Sequence, residues 1–460
     1  MSLPSAPLNP TELLALDARA QVAALARGDC SALALCEAAI ARIEAQDGPI
    51  NAVVVRDFEH ARAQARTADE ALARGERRPL LGLPMTVKES FNLAGLPTTW
   101  GFEFARRFRA ERDALAVSRL KAAGAVILGK TNVPVALGDW QSFNPIYGRT
   151  ANPLDLNRTP GGSSGGGAAA LAARFVALEL GSDIGGSIRV PAHFCGVYGH
   201  KPSLGLLPAR GHDFPGLGSG APNELAVIGP LARSVDDLEL ALSVLAGPEA
   251  PQSKAYGLQL PPARNLAQAR CLLLDQHPEL PVSHDTRLAL QAVAETLQAG
   301  GCTVLRSSEL LPDLKTAHQI YAGLLNTYMT RGQPGATAIS AHEWLTLLDR
   351  RAGLQLQWQA LFEQIDVVLT PVLGCTAYPH IAPMDWATAT VQIDGQAQPL
   401  GPQVFWPGIA TVAGLPATSA PVGRDRDGLP IGLQVIGPMF EDLTPLALVR
   451  RLEALRAGAC

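Results

Sequence analysis

The chain has 460 residues, of which 17% are charged and 47% hydrophobic, and a formal net charge of −4. That balance excludes a disordered chain and leaves no electrostatic case for a nucleic acid or an anionic membrane as partner. The first residues, MSLPSAPLNP, lack a basic stretch followed by an apolar core, and no apolar run is long enough to span a bilayer, so a cytoplasmic protein is expected. Cysteines stand at positions 30, 36, 195, 271, 302, 375 and 460 with no CxxC pair, which fits reduced thiols.

Taken in order, residues 11 to 48 read as two helices, the second capped by Ser31 with an apolar face of Leu33, Leu35, Ala39, Ile40 and Ile43. Asn51 to Val55 reads as a short strand and Phe58 to Arg74 as an amphipathic helix ended by Gly75. Leu81 to Val87 is an apolar strand closed by Lys88 and Glu89. Arg112 to Ala123 reads as a helix, Ala125 to Leu128 as a strand, and Gly129-Lys130-Thr131-Asn132 as a polar turn. Strand, helix and strand in sequence imply a parallel, right-handed crossover. Ser234 caps a helix that stops at Gly247, and Gly247 to Pro262 is a linker or long surface loop. Arg270 to Leu274, Asp285 to Ala299 and Thr303 to Leu305 repeat the strand–helix–strand pattern. Ile365 to Leu369 is a buried strand, and Val391 to Gln398 a hairpin about Asp394-Gly395. Ala417 to Val422 pairs with Ile431 to Ile436, and a helix from Thr444 to Arg456 closes the chain. The expected fold class is α/β: a mixed central sheet covered by helices on both faces. One domain over 1–460 is expected, with a helical part of about 1–75 packed on the core.

The stretch from Arg158 to Gly196 asks for a function. It holds two glycine-serine clusters, Gly161-Gly162-Ser163-Ser164-Gly165-Gly166-Gly167 and Gly185-Gly186-Ser187. A flexible linker is the plain reading, but apolar elements flank both clusters. A phosphate loop needs a Gly-Lys-Ser/Thr ending, which is absent. Gly162-Ser163-Ser164-Gly165-Gly166 fits a nucleophile elbow with Ser164 at its centre, yet none of His277, His284, His318, His342 or His380 has a distinctive context. The remaining reading uses the whole set. N–H groups of Ile184-Gly185-Gly186-Ser187 converge as an oxyanion site beside the Ser187 hydroxyl. Lys88, desolvated in an apolar segment, serves as base, and Ser163 bridges the two. Lys130 is also strand-terminal and competes with Lys88 on the residues alone.

The sequence resembles the amidase signature hydrolases over nearly its whole length. The matching pieces include Gly82–Lys88, Gly124–Asn132, Thr159–Gly166, Gly181–Pro191, Gly229–Asp237 and Gly428–Gln434. The resemblance implies the amidase signature fold, Ser187 as nucleophile, Ser163 as a bridging serine after a cis peptide bond, and Lys88 as base. It implies Ile184, Gly185, Gly186 and Ser187 as oxyanion donors, and Ser164, Asp183 and Arg189 as residues that orient the glycine-serine loops. Glu89 stands where the family often has Asp, and His200 where it often has an apolar residue.

The expected activity is hydrolysis of a small-molecule amide through an acyl-enzyme, with no cofactor and no metal. No nucleic acid or membrane is expected as partner, and a homodimer is allowed. The alternative is the ammonia-supplying amidase component of a glutamyl-tRNA amidotransferase, which shares the core and serves a partner subunit. Leu204 to Gly211 does not resemble that version. Cys195 reads as a buried small residue, and His193 with His200 lacks a third ligand at metal spacing. Trp100, Phe102 and Phe104 read as pocket wall or core. The pocket is expected to draw on residues 101 to 110, 138 to 146, 212 to 224 and 320 to 335.

Overall fold

A computed structural model describes residues 9–216, 223–331 and 335–458. Its centre is an eleven-stranded sheet. In spatial order the strands are Val53–Arg56, Val126–Thr131, Pro84–Lys88, Leu178–Asp183, Val227–Ala232, Tyr198–Lys201, Ala417–Arg424, Pro430–Ile436, Val367–Pro371, Arg270–Leu273 and Thr303–Leu305. Pro84–Lys88 runs parallel to both its neighbours, and the last three strands are mutually parallel. The five strands from Val227–Ala232 through Val367–Pro371 pair antiparallel. The fold is therefore α/β with a mixed sheet.

Alternation along the strands puts helices on both faces. Ile127 packs with helices Leu115–Ala122, Val235–Leu245, His284–Ala299 and Leu443–Arg456 on one side. Its neighbours Val126 and Leu128 pack with Ala32–Ile50, Phe58–Ala73 and Gly165–Ala172 on the other. The N-terminal helices are tied down by charge as well. Asp237 accepts the N–H groups of Ala18 and Arg19, at 2.7 and 3.0 Å.

Both crossovers read from the sequence are present, and each joins adjacent parallel strands. The hairpin Thr390–Ile393 with Gln396–Pro399 turns through Asp394 and Gly395, both at positive φ. Several expectations need correction. Gly129, Lys130 and Thr131 are not a turn: the strand Val126–Thr131 runs through them, because Val53–Arg56 ladders along that end. The strand expected from Leu81 begins at Pro84, after Gly82 at φ 84° bends the chain. The helix expected from Arg112 begins at Leu115. Helices Leu314–Thr330, Ala341–Phe362 and Phe405–Ala413, and strands Tyr198–Lys201 and Val227–Ala232, escaped the sequence reading.

Candidate active site

Lys88 ends the strand Pro84–Lys88, buried between two parallel neighbours. Its Nζ donates to Ser163 Oγ at 2.7 Å and to Ser182 Oγ at 2.9 Å. Burial disfavours the charged form and pulls its pKa down to about 7, against the opposing pull of Asp183 and Glu179. Two more lysines are buried at strand ends. Lys130, lowered to about 8 by burial, donates to the Pro97 carbonyl and to Thr98 Oγ1. Lys201, lowered to about 7 by burial and then by Arg189, donates to the Pro202 carbonyl. Of the three, Lys88 is the one that touches a serine of the glycine-serine clusters.

The first cluster forms a turn that leads into helix Gly165–Ala172, and its Gly162–Ser163 peptide is cis. Gly162 is pressed on the chain beneath it: a Cβ there would stand 2.3 Å from the Asp139 carbonyl oxygen. Ser164 donates its hydroxyl to the Ser182 carbonyl at 3.3 Å, and its N–H to the Ser187 carbonyl at 3.1 Å. The second bond holds the two clusters side by side, next to Ser163. No histidine meets the Ser164 hydroxyl among the described residues, which leaves the elbow reading without a base.

The second cluster is wound around Asp183. Its carboxylate accepts N–H groups from Gly186 at 2.8 Å and Ile188 at 3.0 Å, and Arg189 closes a two-pronged ion pair on it. Burial raises the pKa of Asp183, but Arg189 outweighs it and the net result is a drop to about 2. Arg189 in turn donates to the Pro407 carbonyl, Gln434 and Thr411. Gly186 sits at φ 93° with Val190 and Pro407 packed where a Cβ would be.

Two side chains absent from the sequence reading hold this loop from behind. Tyr321 donates its hydroxyl to the Ile184 carbonyl at 3.0 Å, and Trp140 its indole N–H to the Gly185 carbonyl at 2.9 Å. In a trans peptide the following N–H points away from a fixed carbonyl. Tyr321 therefore aims the Gly185 N–H, and Val190, bonded to the Gly186 carbonyl, aims that of Ser187. The N–H groups of Ile184, Gly185 and Ser187 meet no acceptor among the described residues, and Ser187 is 5% exposed.

All four segments expected around the pocket contribute contacts here. Tyr321 belongs to 320–335 and Trp140 to 138–146, while residues 217–222 and 332–334 lie outside the described residues. Trp100, Phe102, Phe104 and Phe214 form a chain of half-exposed to exposed rings with centroids 5.0 to 6.0 Å apart. Glu89 anchors that chain, accepting the N–H groups of Thr99 and Trp100 at 2.7 and 3.0 Å and the Tyr147 hydroxyl at 3.1 Å. Cys195 is buried, with its thiol pKa pushed well up by desolvation. His193 is bonded to the Cys375 carbonyl and the Gly432 N–H, and His200 to Thr418 and Asp442. Ser182 and Glu179 also escaped the reading. Glu179 was visible in the sequence as the one acid that interrupts an apolar run.

The sheet and site define a class of carbon–nitrogen hydrolases. The Amidase family model matches residues 34–327 and 315–446, and the chain belongs to that family. AmiB2 of Mycobacterium tuberculosis is 35% identical over 477 residues, covering 98% of each chain. AtzE of a Pseudomonas species, a component of 1-carboxybiuret hydrolase, is 35% identical and covers 91% of this chain and 94% of its own. The amidase-family component of the glutamyl-tRNA(Gln) amidotransferase of Roseiflexus castenholzii is 34% identical and covers 91% of each. Among solved structures, an s-triazine catabolic enzyme from a vestigial protein complex, inhibitor-bound, superposes with a TM-score of 0.82 at 32% identity. It covers 96% of this chain and 99% of its own. No helix among the described residues is long and apolar enough to cross a membrane.

Proposed function

We propose that this protein hydrolyses a carboxylic acid amide by itself, through an acyl-enzyme on Ser187. The observation that carries the reading is the contact between Lys88 and Ser163. A neutral amine accepts as well as donates, so the same contact passes the Ser163 proton to Lys88. Ser163 takes the proton of Ser187 as that oxygen attacks the amide carbonyl. The negative charge on the carbonyl oxygen is met by N–H groups of the second cluster. Of the four donors expected, Gly186 is committed to Asp183, which leaves Ile184, Gly185 and Ser187 for the oxyanion. The proton returns through Ser163 to the leaving nitrogen, and water then repeats the cycle on the ester.

A panel of aliphatic and aryl amides tested with the purified protein alone decides the matter. Amine release from any of them supports the reading. The relatives favour one rival: a component of a glutamyl-tRNA amidotransferase matches about as well as the hydrolases do. Turnover that begins only when a partner protein is added would establish that rival.

A further inference from the structure

Glu179 has no part in the relay, yet it lies buried beneath it. It sits on strand Leu178–Asp183, directly opposite Thr86 on strand Pro84–Lys88. Residues two apart on a strand share a face, so Thr86 and Lys88 point to the same side. Glu179 points there too, since Thr86 Oγ1 donates to its Oε2 and Thr131 Oγ1 to its Oε1, the latter at 2.6 Å. Helix Gly165–Ala172 roofs the pocket. A Cβ on Gly167 would stand 2.5 Å from Glu179 Cγ, so the third glycine of the run leaves the room this carboxyl occupies.

We propose that Glu179 is a positioning residue for Lys88: its carboxylate is the buried counter-charge that sets how readily Lys88 takes and holds the Ser163 proton. The inference rests on Lys88 acting as the base. Two carboxylates act on Lys88 from the neighbouring strand, Asp183 and Glu179. Asp183 is locked to Arg189, so much of its field is cancelled. The hydrogen-bond partners of Glu179 are two uncharged hydroxyls, and the charge it feels is that of Lys88. His212, across the site, feels the Lys88 charge as well and is kept neutral by burial, its pKa lowered to about 3. Lys130 turns to Pro97 and Thr98 and answers to Glu89 instead. Burial raises Glu179 to about 8 while it lowers Lys88 to about 7, so near neutrality the two share a single proton. Whenever Lys88 holds that proton, Glu179 is the ionised partner.

The test reads the rate of Ser187 modification by a fluorophosphonate against pH, which needs no knowledge of the substrate. Replacing Glu179 removes the charge that favours protonated Lys88. In E179Q the acid limb of the profile should move to lower pH by about 0.5–1 unit. T131V, which takes one hydroxyl from the carboxylate, should move it in the same direction by less. Melting temperatures accompany both variants. A folded E179Q whose limb stays at the wild-type position overturns the inference. If E179Q does not fold, an unmoved limb in T131V overturns it equally. A wild-type protein not modified at Ser187 removes the underlying reading, whereas modification with an unmoved limb removes only the role of Glu179.

Discussion

Lys88 Nζ and Ser163 Oγ stand 2.7 Å apart, both buried, with Ser182 Oγ 2.9 Å from the same amine. The lysine is thus held by two hydroxyls and no carboxylate. Its charge is disfavoured while its reach to Ser163 is kept. Lys88→Ala should lower turnover by roughly 10³- to 10⁶-fold, the range seen when a member of a catalytic unit is removed. Lys88→Arg should not rescue it, because a guanidinium stays charged at every working pH. Steady-state kinetics of both variants, with melting temperatures as a control, check this.

The same burial has a consequence for stability. A lysine with a folded pKa of about 7 binds its proton more weakly than in the unfolded chain, where the value is near 10.5. The folded state is therefore destabilised as pH falls below about 10.5, and the cost is complete near pH 7. Lys88→Met should be more stable than wild type at pH 7, by about 2–4 kcal/mol, and the gap should close as pH rises toward 10. Urea melts at several pH values measure it. A constant gap would contradict the assigned burial cost.

Asp183 and Arg189 are both fully buried, and Asp183 also holds two backbone N–H groups of the Ser187 loop. Asp183→Asn leaves a buried guanidinium without its counter-charge and should cost about 3–5 kcal/mol. The pH sense is opposite to that of Lys88. The Asp183 pKa is depressed to about 2, so its contribution is present above about pH 4 and fades as pH falls through 2. Thermal melts of both proteins from pH 7 downward should converge in acid.

Tyr321 acts on the reaction only through the loop it holds. Tyr321→Phe frees the Ile184 carbonyl and loosens the Gly185 N–H behind it. Losing one such bond, worth about 1 kcal/mol, should lower kcat by about 3- to 10-fold. The donor matters only once charge develops on the carbonyl oxygen, so KM should change little. A rise in KM at constant kcat would assign Tyr321 to substrate binding instead.

The parts of the fold written in local pattern were legible. Apolar periodicity gave the two strand–helix–strand units, and Ser31 and Ser234 cap their helices as read. Strand Tyr198–Lys201 was illegible for a physical reason: its last two residues, His200 and Lys201, are buried polar groups satisfied by distant partners such as Asp442. Helix Leu314–Thr330 had a readable stripe in Ala317, Ile320, Tyr321 and Leu324, which went unused. The glycine-serine clusters marked where the chain must pass closely over itself, and the structure brings Lys88 to Ser163. What sequence could not show is how the loop is held. Trp140 and Tyr321 reach Gly185 and Ile184 from 45 and 137 residues away, through bonds to carbonyls that leave no local pattern.

The most direct measurement is to treat the intact protein with a fluorophosphonate and map the adduct by mass spectrometry. A single adduct on Ser187 is expected, formed with wild-type Lys88 and strongly slowed in Lys88→Ala. An adduct on Ser164, or labelling of Ser187 at an undiminished rate in Lys88→Ala, would contradict the assignment of Lys88 and Ser187.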